Sequence, residues 1–232
     1  MPSIIYETDD FVAVNKPAGL LVHKTAASEE ETLVEWLLKK YPEIKTVGDD
    51  PENRPGIVHR LDKDTSGVIL IARNQKFFEY LKNLFKTHQI KKTYLALVYG
   101  KLEPLTGVIE KPIALKSGTI KRTAHLGGKV RMVKEAITEY KVKKYLRLNS
   151  QDFSLVELFP KTGRTHQLRV HMASISHPIV GDRLYGRKNV NFDLERQFLH
   201  AESIEFSLPE GRRIKIEAEL PLDLMKILDS AI

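Results

Sequence analysis

The stretch Gly56-Ile57-Val58-His59-Arg60-Leu61-Asp62-Lys63-Asp64-Thr65-Ser66-Gly67-Val68-Ile69-Leu70-Ile71-Ala72 joins a polar segment to an unbroken apolar run. Polar and glycine residues directly ahead of a β run mark a shaped loop, and Val68 to Ala72 reads as a buried strand. The loop therefore holds an acid, Asp62, among basic and hydroxyl residues at the mouth of a core strand. Desolvation raises a carboxyl pKa, whereas a nearby guanidinium and hydrogen-bond donors lower it. A nucleophilic carboxylate needs both enclosure and compensation. Arg164, beside Gly163 at a loop-to-helix junction, is the distant candidate for that compensation, because its planar fork suits bidentate pairing. The plainer alternative makes Asp62 a turn residue and Arg164 a structural ion pair.

Upstream of the loop, Phe11 to Val14 reads as a strand, followed by a Lys16-Pro17 turn, Gly19 and a second apolar run, Leu20 to Val22. Ser28 with Glu31 suggests a capping box. Leu33, Trp36, Leu37 and Tyr41 follow at helical spacing until Pro42. Downstream, Phe77, Leu81, Leu84, Phe85 and His88 mark a second helix. Lys91 to Gly100 alternates like a strand, with Tyr94, Ala96 and Val98 on one face. From Gly107 to Phe159 several strands alternate with Gly127-Gly128 and a turn at Asn149 to Asp152, the pattern of hairpins. A short helix carrying Leu168, Met172 and Ile175 follows Thr162-Gly163-Arg164-Thr165. Two strands, near Phe198 to Leu208 and Arg213 to Glu219, precede a terminal helix after Pro221. The expectation is α+β: a mainly antiparallel mixed sheet flanked by helices, without regular βαβ alternation. We expect one catalytic-size domain over residues 1–232, with two lobes of about 1–105 and 106–232 around a cleft.

At 232 residues the chain can bury a full core. It has no cysteine, which excludes disulfides, thiolate metal sites and a cysteine nucleophile, and suits a reducing cytoplasm. The N-terminus lacks the basic start and apolar run of a signal peptide, and no apolar stretch approaches membrane-spanning length. A net charge of +7 favours an anionic partner. Much of the excess lies between Lys111 and Arg147. Taken alone, that run is a solvated lysine-rich face.

Other constellations are weaker. His59, Asp62 and Asp64 cluster, as do His166, His171 and His177. The five-residue step from His166 to His171, however, spreads the rings over different helix faces instead of converging them on an ion. We therefore expect no metal. Tyr94 offers a face for stacking a base and a phenol for proton exchange, although a lone strand tyrosine is more often core. In Lys16-Pro17-Ala18-Gly19-Leu20-Leu21-Val22-His23, proline and glycine fix a turn that braces the Asp62 loop and leave Lys16 and His23 available.

Together, four ordered stretches resemble the RluA-type family of pseudouridine synthases. Lys16 to His23 resembles its first motif, His59 to Gly67 its catalytic loop, and Lys92-Thr93-Tyr94-Leu95-Ala96-Leu97-Val98-Tyr99-Gly100 its tyrosine strand. Thr162-Gly163-Arg164-Thr165-His166-Gln167-Leu168-Arg169-Val170-His171 resembles its third motif, which continues through His177-Pro178-Ile179-Val180-Gly181-Asp182 to Tyr185-Gly186 and Leu199-His200-Ala201. The likeness covers about residues 3 to 220. It implies the pseudouridine synthase fold and the isomerisation of uridine in structured ribosomal or transfer RNA without a cofactor. Asp62, Tyr94 and Arg164 would be catalytic, with Arg164 paired to Asp62. His59, Arg60, Thr65, Lys92, His166 and Arg169 would bind substrate. The family also implies a cytoplasmic monomer that needs no protein partner and no membrane. Two departures stand out: Ser176 replaces a glycine common before the His-Pro pair, and no small S4-type RNA-binding domain precedes Tyr6. Two other classes compete. A non-catalytic RNA-binding protein would not need Asp62, Tyr94 and Arg164 intact. A metal-dependent phosphodiesterase would need better ligand spacing, and its RNA cleavage would be sensitive to chelators.

Overall fold

The computed structural model describes residues 1–24, 30–119, 121–148, 150–187 and 194–230. In chain order the strands and helices are β1 (Ser3–Glu7), β2 (Phe11–Lys16), α1 (Leu33–Lys40), β3 (Ser66–Ala72), α2 (Gln75–Lys86), β4 (Lys91–Tyr99), β5 (Thr106–Glu110), β6 (Ile113–Lys116), β7 (Arg122–Thr123), β8 (Val130–Lys134), β9 (Ile137–Leu148), β10 (Gln151–Pro160), α3 (Gln167–Ser174), β11 (Leu199–Ser207), β12 (Arg213–Glu217) and α4 (Leu222–Asp229). The class is α+β, as expected. The chain forms two compact units, Met1–Lys92 with Ala201–Glu219 and Thr93–His200 with Leu220–Ile232.

In the first unit β1, β2 and β3 form an antiparallel run, with Val14 opposite both Ile4 and Ile69. All seven residues of β3 are buried, which is why its sequence is continuously apolar rather than alternating. Ile204 of β11 pairs with Ile216 of β12. Helix α2 presents Phe77, Phe78, Leu81 and Leu84 to this core, the spacing of one helical face. Phe77 stacks on Phe11 with centroids 5.0 Å apart, and Phe206 meets Phe11 edge-on. The α2 N-terminus is capped by the Asn74 side chain, which accepts from Phe77 N–H at 2.9 Å.

Helix α1 is capped a few residues later than the sequence suggested. Ser28 lies outside the described residues. The capping box is Thr32 with Glu35, whose carboxylate accepts Thr32 N–H at 2.9 Å while the threonine hydroxyl accepts Glu35 N–H. The apolar run Leu20 to Val22 is not a strand. Its carbonyls serve the same helix end, Leu21 accepting from Leu33 N–H and Val22 from Val34 N–H.

The second unit is built on the antiparallel order β4-β10-β9-β5. Ala96 faces Val156, Val156 faces Val142, and Gly107 faces Tyr140. Leu95 to Val98 are buried on both sides of β4, so the alternation around Tyr94, Ala96 and Val98 does not sort core from solvent there. The β9–β10 hairpin closes with Leu148 opposite Gln151; Asn149, expected in its turn, lies outside the described residues. A separate three-stranded sheet, β7-β6-β8, carries the basic stretch. Helices α3 and α4 bury Leu168, Met172, Leu224 and Ile227 against Phe153 and Phe198.

Gly67 separates two kinds of glycine. It holds φ +116°, and a Cβ there would overlap the backbone of Ala201, whereas Gly118 holds φ +73° with open space around it. Gly67→Ala is expected to cost roughly 3 kcal/mol or more, from backbone overlap added to the left-handed penalty. Gly118→Ala should cost only about 1 kcal/mol. Urea unfolding of the two variants checks the difference.

Candidate active site

The Asp62 loop hangs from the end of β2 and the start of β3, where Lys16 pairs with Gly67. Leu61, Thr65 and Ser66 are buried and anchor it, and Thr65 N–H closes a turn on the Asp62 carbonyl at 3.1 Å. Asp62 itself is half-buried at its rim. Lys16 is 0% exposed, and its ammonium donates to the carbonyls of Pro17, Leu20 and Lys63, each at 2.8 Å. The sequence reading left Lys16 available to a ligand; the structure instead commits its ammonium to these carbonyls. Its charge is consumed in fastening the proline turn to the residue after Asp62. Burial, reinforced by the charges of Arg60 and Arg54, lowers the His23 pKa from its ordinary value.

His59 plays a comparable part. Its Nε2 accepts the Leu70 N–H at 2.9 Å, and its ring packs on Phe85 with centroids 4.8 Å apart. Burial, helped by the Lys92 charge, pushes its pKa down to about 3. The ring is thus a neutral bracket between the loop and β3. Lys92 lies 5.9 Å from the Phe85 ring, and burial lowers its ammonium to about 8. Arg60, next to Leu61, is exposed.

In the second unit the Arg164 turn is shaped by Gln167. That buried side chain accepts Arg164 N–H at 3.0 Å and the Thr162 hydroxyl at 2.7 Å, and donates to the Ile137 carbonyl and the Thr138 hydroxyl. Arg164 stands exposed above it, with Nε donating to the Glu135 carbonyl at 2.9 Å. His166 adopts a left-handed φ of 56° at the head of α3, and its Nδ1 lies 2.9 Å from the Tyr185 hydroxyl. Arg169 faces inward, only 6% exposed, and grips Asp182 with two bonds of 2.7 and 2.8 Å. Burial alone would raise the Asp182 carboxyl; Arg169 and the Leu184 and Tyr185 N–H groups outweigh it and hold the carboxyl below its usual range. Arg169 is consequently turned inward, a brace behind the turn. His171 is buried between the Thr138 hydroxyl and the Lys111 carbonyl, and His177 bonds the Tyr99 carbonyl. Each of these rings serves a different backbone or hydroxyl partner. Tyr94, opposite Leu158, is half-buried against the core of its unit.

Asp62 and its bracket residues thus belong to the first unit, Tyr94 and Arg164 to the second. Sequence reasoning passed over Gln167 and Tyr185. The available signal was Asp182, which accepts two successive N–H groups like an Asx turn and so fixes Tyr185. An open cavity of about 620 Å³ in the second unit is lined by Glu103, Glu110, Tyr140, Ile175 and neighbours. It contains none of the expected catalytic residues.

A family model described as RNA pseudouridylate synthase matches residues 10–174. The chain is 38% identical over 223 residues to ribosomal large subunit pseudouridine synthase D of Borreliella burgdorferi, covering 94% of this chain and 65% of the relative. It is 40% identical to an uncharacterized RNA pseudouridine synthase of Chloroflexus aurantiacus, covering 92% and 64%. The chain thus spans slightly under two thirds of the length of these relatives. Among solved structures it is similar to human RNA pseudouridylate synthase domain containing 1, with TM-score 0.77, 27% identity and coverage of 95% of this chain and 84% of that one.

The His59 bracket has a pH signature. Unfolded, the imidazole takes up a proton near its ordinary 6.5; folded, it does so only near 3. Its contribution to stability is therefore complete above pH 6.5 and is lost as pH falls through that window, at a slope of at most about 1.4 kcal/mol per pH unit. His23 and His171, also lowered, add slopes of the same sign. Subtracting the pH dependence of a His59→Asn variant from that of the wild type, by urea unfolding between pH 4.5 and 7, should leave a residual slope of that sign.

Proposed function

Because the chain belongs to the RNA pseudouridylate synthase family, we propose that it isomerises uridine to pseudouridine in structured RNA, using the Asp62 carboxylate and no cofactor. The family match carries this proposal, because it spans Asp62, Tyr94 and Arg164 together. The reaction breaks the bond from N1 to C1′, turns the freed uracil, joins C5 to C1′, removes the C5 proton and leaves a proton on N1 in its place. Nothing leaves the product, so no cosubstrate is required. Asp62 acts on the sugar or base as nucleophile, or as the base that forms a glycal. Tyr94 stacks on the uracil and takes part in proton transfer from C5. Arg164 is assigned as the guanidinium partner of Asp62 on the strength of the third motif.

Substrate contacts are assigned to Arg60, Lys92 and His166, with His59, Arg169 and the buried Thr65 supporting them from behind. The exposed cations of β6, β8 and β9 neutralise phosphates, so binding weakens with salt. The target base must leave its stack, which makes loops and mismatched sites cheaper substrates than continuous duplex. Ribosomal RNA is the first substrate to test, since a relative at 38% identity is named a ribosomal large subunit pseudouridine synthase; transfer RNA is the second. No helix among the described residues is long and apolar enough to cross a membrane. We place the protein in the cytoplasm, acting as a monomer without a protein partner.

Asp62→Asn should abolish turnover, at least a thousandfold, while RNA affinity and melting temperature stay near wild type. Pseudouridine mapping of total RNA from cells lacking the gene, complemented with wild type or Asp62→Asn, reads this directly. Equal restoration by both proteins would sink the assignment. Arg164→Lys keeps the charge but loses the fork, and kcat is expected to fall at least tenfold. Near-native turnover would dismiss Arg164 as the carboxylate's partner.

A further inference from the structure

Tyr185 joins parts of the second unit that are distant in sequence. Its hydroxyl accepts the backbone N–H of Arg122 in β7 at 2.9 Å and lies 2.9 Å from Nδ1 of His166. The guanidinium of Arg169 packs over its ring at 5.3 Å from the centroid, and its own N–H donates to Asp182 at 3.0 Å. The ring is thus held by Arg169 and Asp182, and the hydroxyl is a rigid post joined to Arg122 and His166.

Each attachment leads somewhere different. His166 follows Arg164 and Thr165 and opens α3 in a left-handed conformation, without a side-chain cap. A non-glycine residue in that region costs free energy, which surrounding contacts must offset. The Tyr185 hydroxyl supplies one such contact, at the foot of the turn that presents Arg164. Arg122 belongs to the β7-β6-β8 sheet, where Lys116, Lys121, Lys129, Arg131 and Lys134 are exposed. Beyond strand pairing to β6, this short strand is fastened through the same hydroxyl.

We propose that Tyr185 is a positioning residue that couples the basic three-stranded sheet to the Arg164 turn. Seating phosphates on the sheet then steadies the guanidinium, and RNA grip and turnover share one hydroxyl. This rests on the RNA-modifying function proposed above. Mutating the post should therefore disturb two properties that a merely structural tyrosine would not link, namely kcat and the salt dependence of RNA binding.

The test is Tyr185→Phe, which keeps the ring over Arg169 and removes only the hydroxyl, measured for turnover and for RNA affinity across a potassium chloride series. We expect kcat to fall about tenfold and the slope of log affinity against log salt to become shallower, as phosphate contacts are lost. The melting temperature should stay within a few degrees of wild type. Combining it with Lys129→Ala and Arg131→Ala should give less than the product of the separate losses. Wild-type kcat together with a wild-type salt slope would overturn the coupling, as would fully multiplicative losses. His166→Asn, which tolerates the left-handed backbone while detaching the other end, should reproduce the same pair of effects if Tyr185→Phe fails to fold. Should the wild-type protein form no pseudouridine in ribosomal or transfer RNA, the proposed function fails. The coupling is then decided by the salt slope alone, shallower in Tyr185→Phe supporting it and an equal slope refuting it.

Discussion

A lysine ammonium removed from water must be surrounded by oxygen atoms, and the arrangement of the first unit follows from how Lys16 meets that demand. Taking such a charge out of solvent costs several kcal/mol. Charge-assisted bonds to the Pro17, Leu20 and Lys63 carbonyls offset it. Those carbonyls come from two segments far apart in sequence, so satisfying one side chain fixes the proline turn and the Asp62 loop at once. The pairing of Lys16 with Gly67 closes the loop from its other end. What remains at the rim is a short arc holding Asp62, with little backbone freedom left to lose when a ligand binds.

The second unit solves the same problem with different groups. Gln167 uses both ends of a buried amide to shape the turn below Arg164, and the Arg169–Asp182 pair stiffens the segment leading to Tyr185. In both units the polar residues that sequence reading would hand to the substrate are divided. Some are consumed beneath the surface, and others are left standing on it. Burial decides which: Lys16, Arg169 and His171 are enclosed, while Arg60 and Arg164 are exposed.

Much of this was legible beforehand. Helical spacing located α1 and α2, whose apolar residues are buried on one side, while apolar runs and turn residues located β2, β4, the β9–β10 hairpin and α4. The loop before β3 declared itself through glycine and polar residues ahead of an apolar run. Local sequence could not tell an exposed arginine from a buried one. Arg164 and Arg169 sit five residues apart in one motif, and only the long-range partner Asp182 draws one of them inward. Nor could it foresee that the His59 ring would be committed to a strand N–H eleven residues away. The capping of α1 at Thr32 was ambiguous for a different reason: hydroxyl and acid residues occur twice in that stretch at capping distance, and the helix takes the pair whose N–H groups it needs.

The Arg169–Asp182 pair, with side chains 7% and 0% exposed, is an internal contact from which bulk ions are excluded. The basic strands lie in solvent, where about 0.1 M salt already confines electrostatic attraction to ~10 Å. Ionic strength thus acts on the two kinds of positive charge unequally, weakening the pull of the face on an anionic partner while the scaffold behind Arg164 keeps its shape. During isolation, strong salt should loosen any polyanion held on that face and return the protein with its architecture undisturbed.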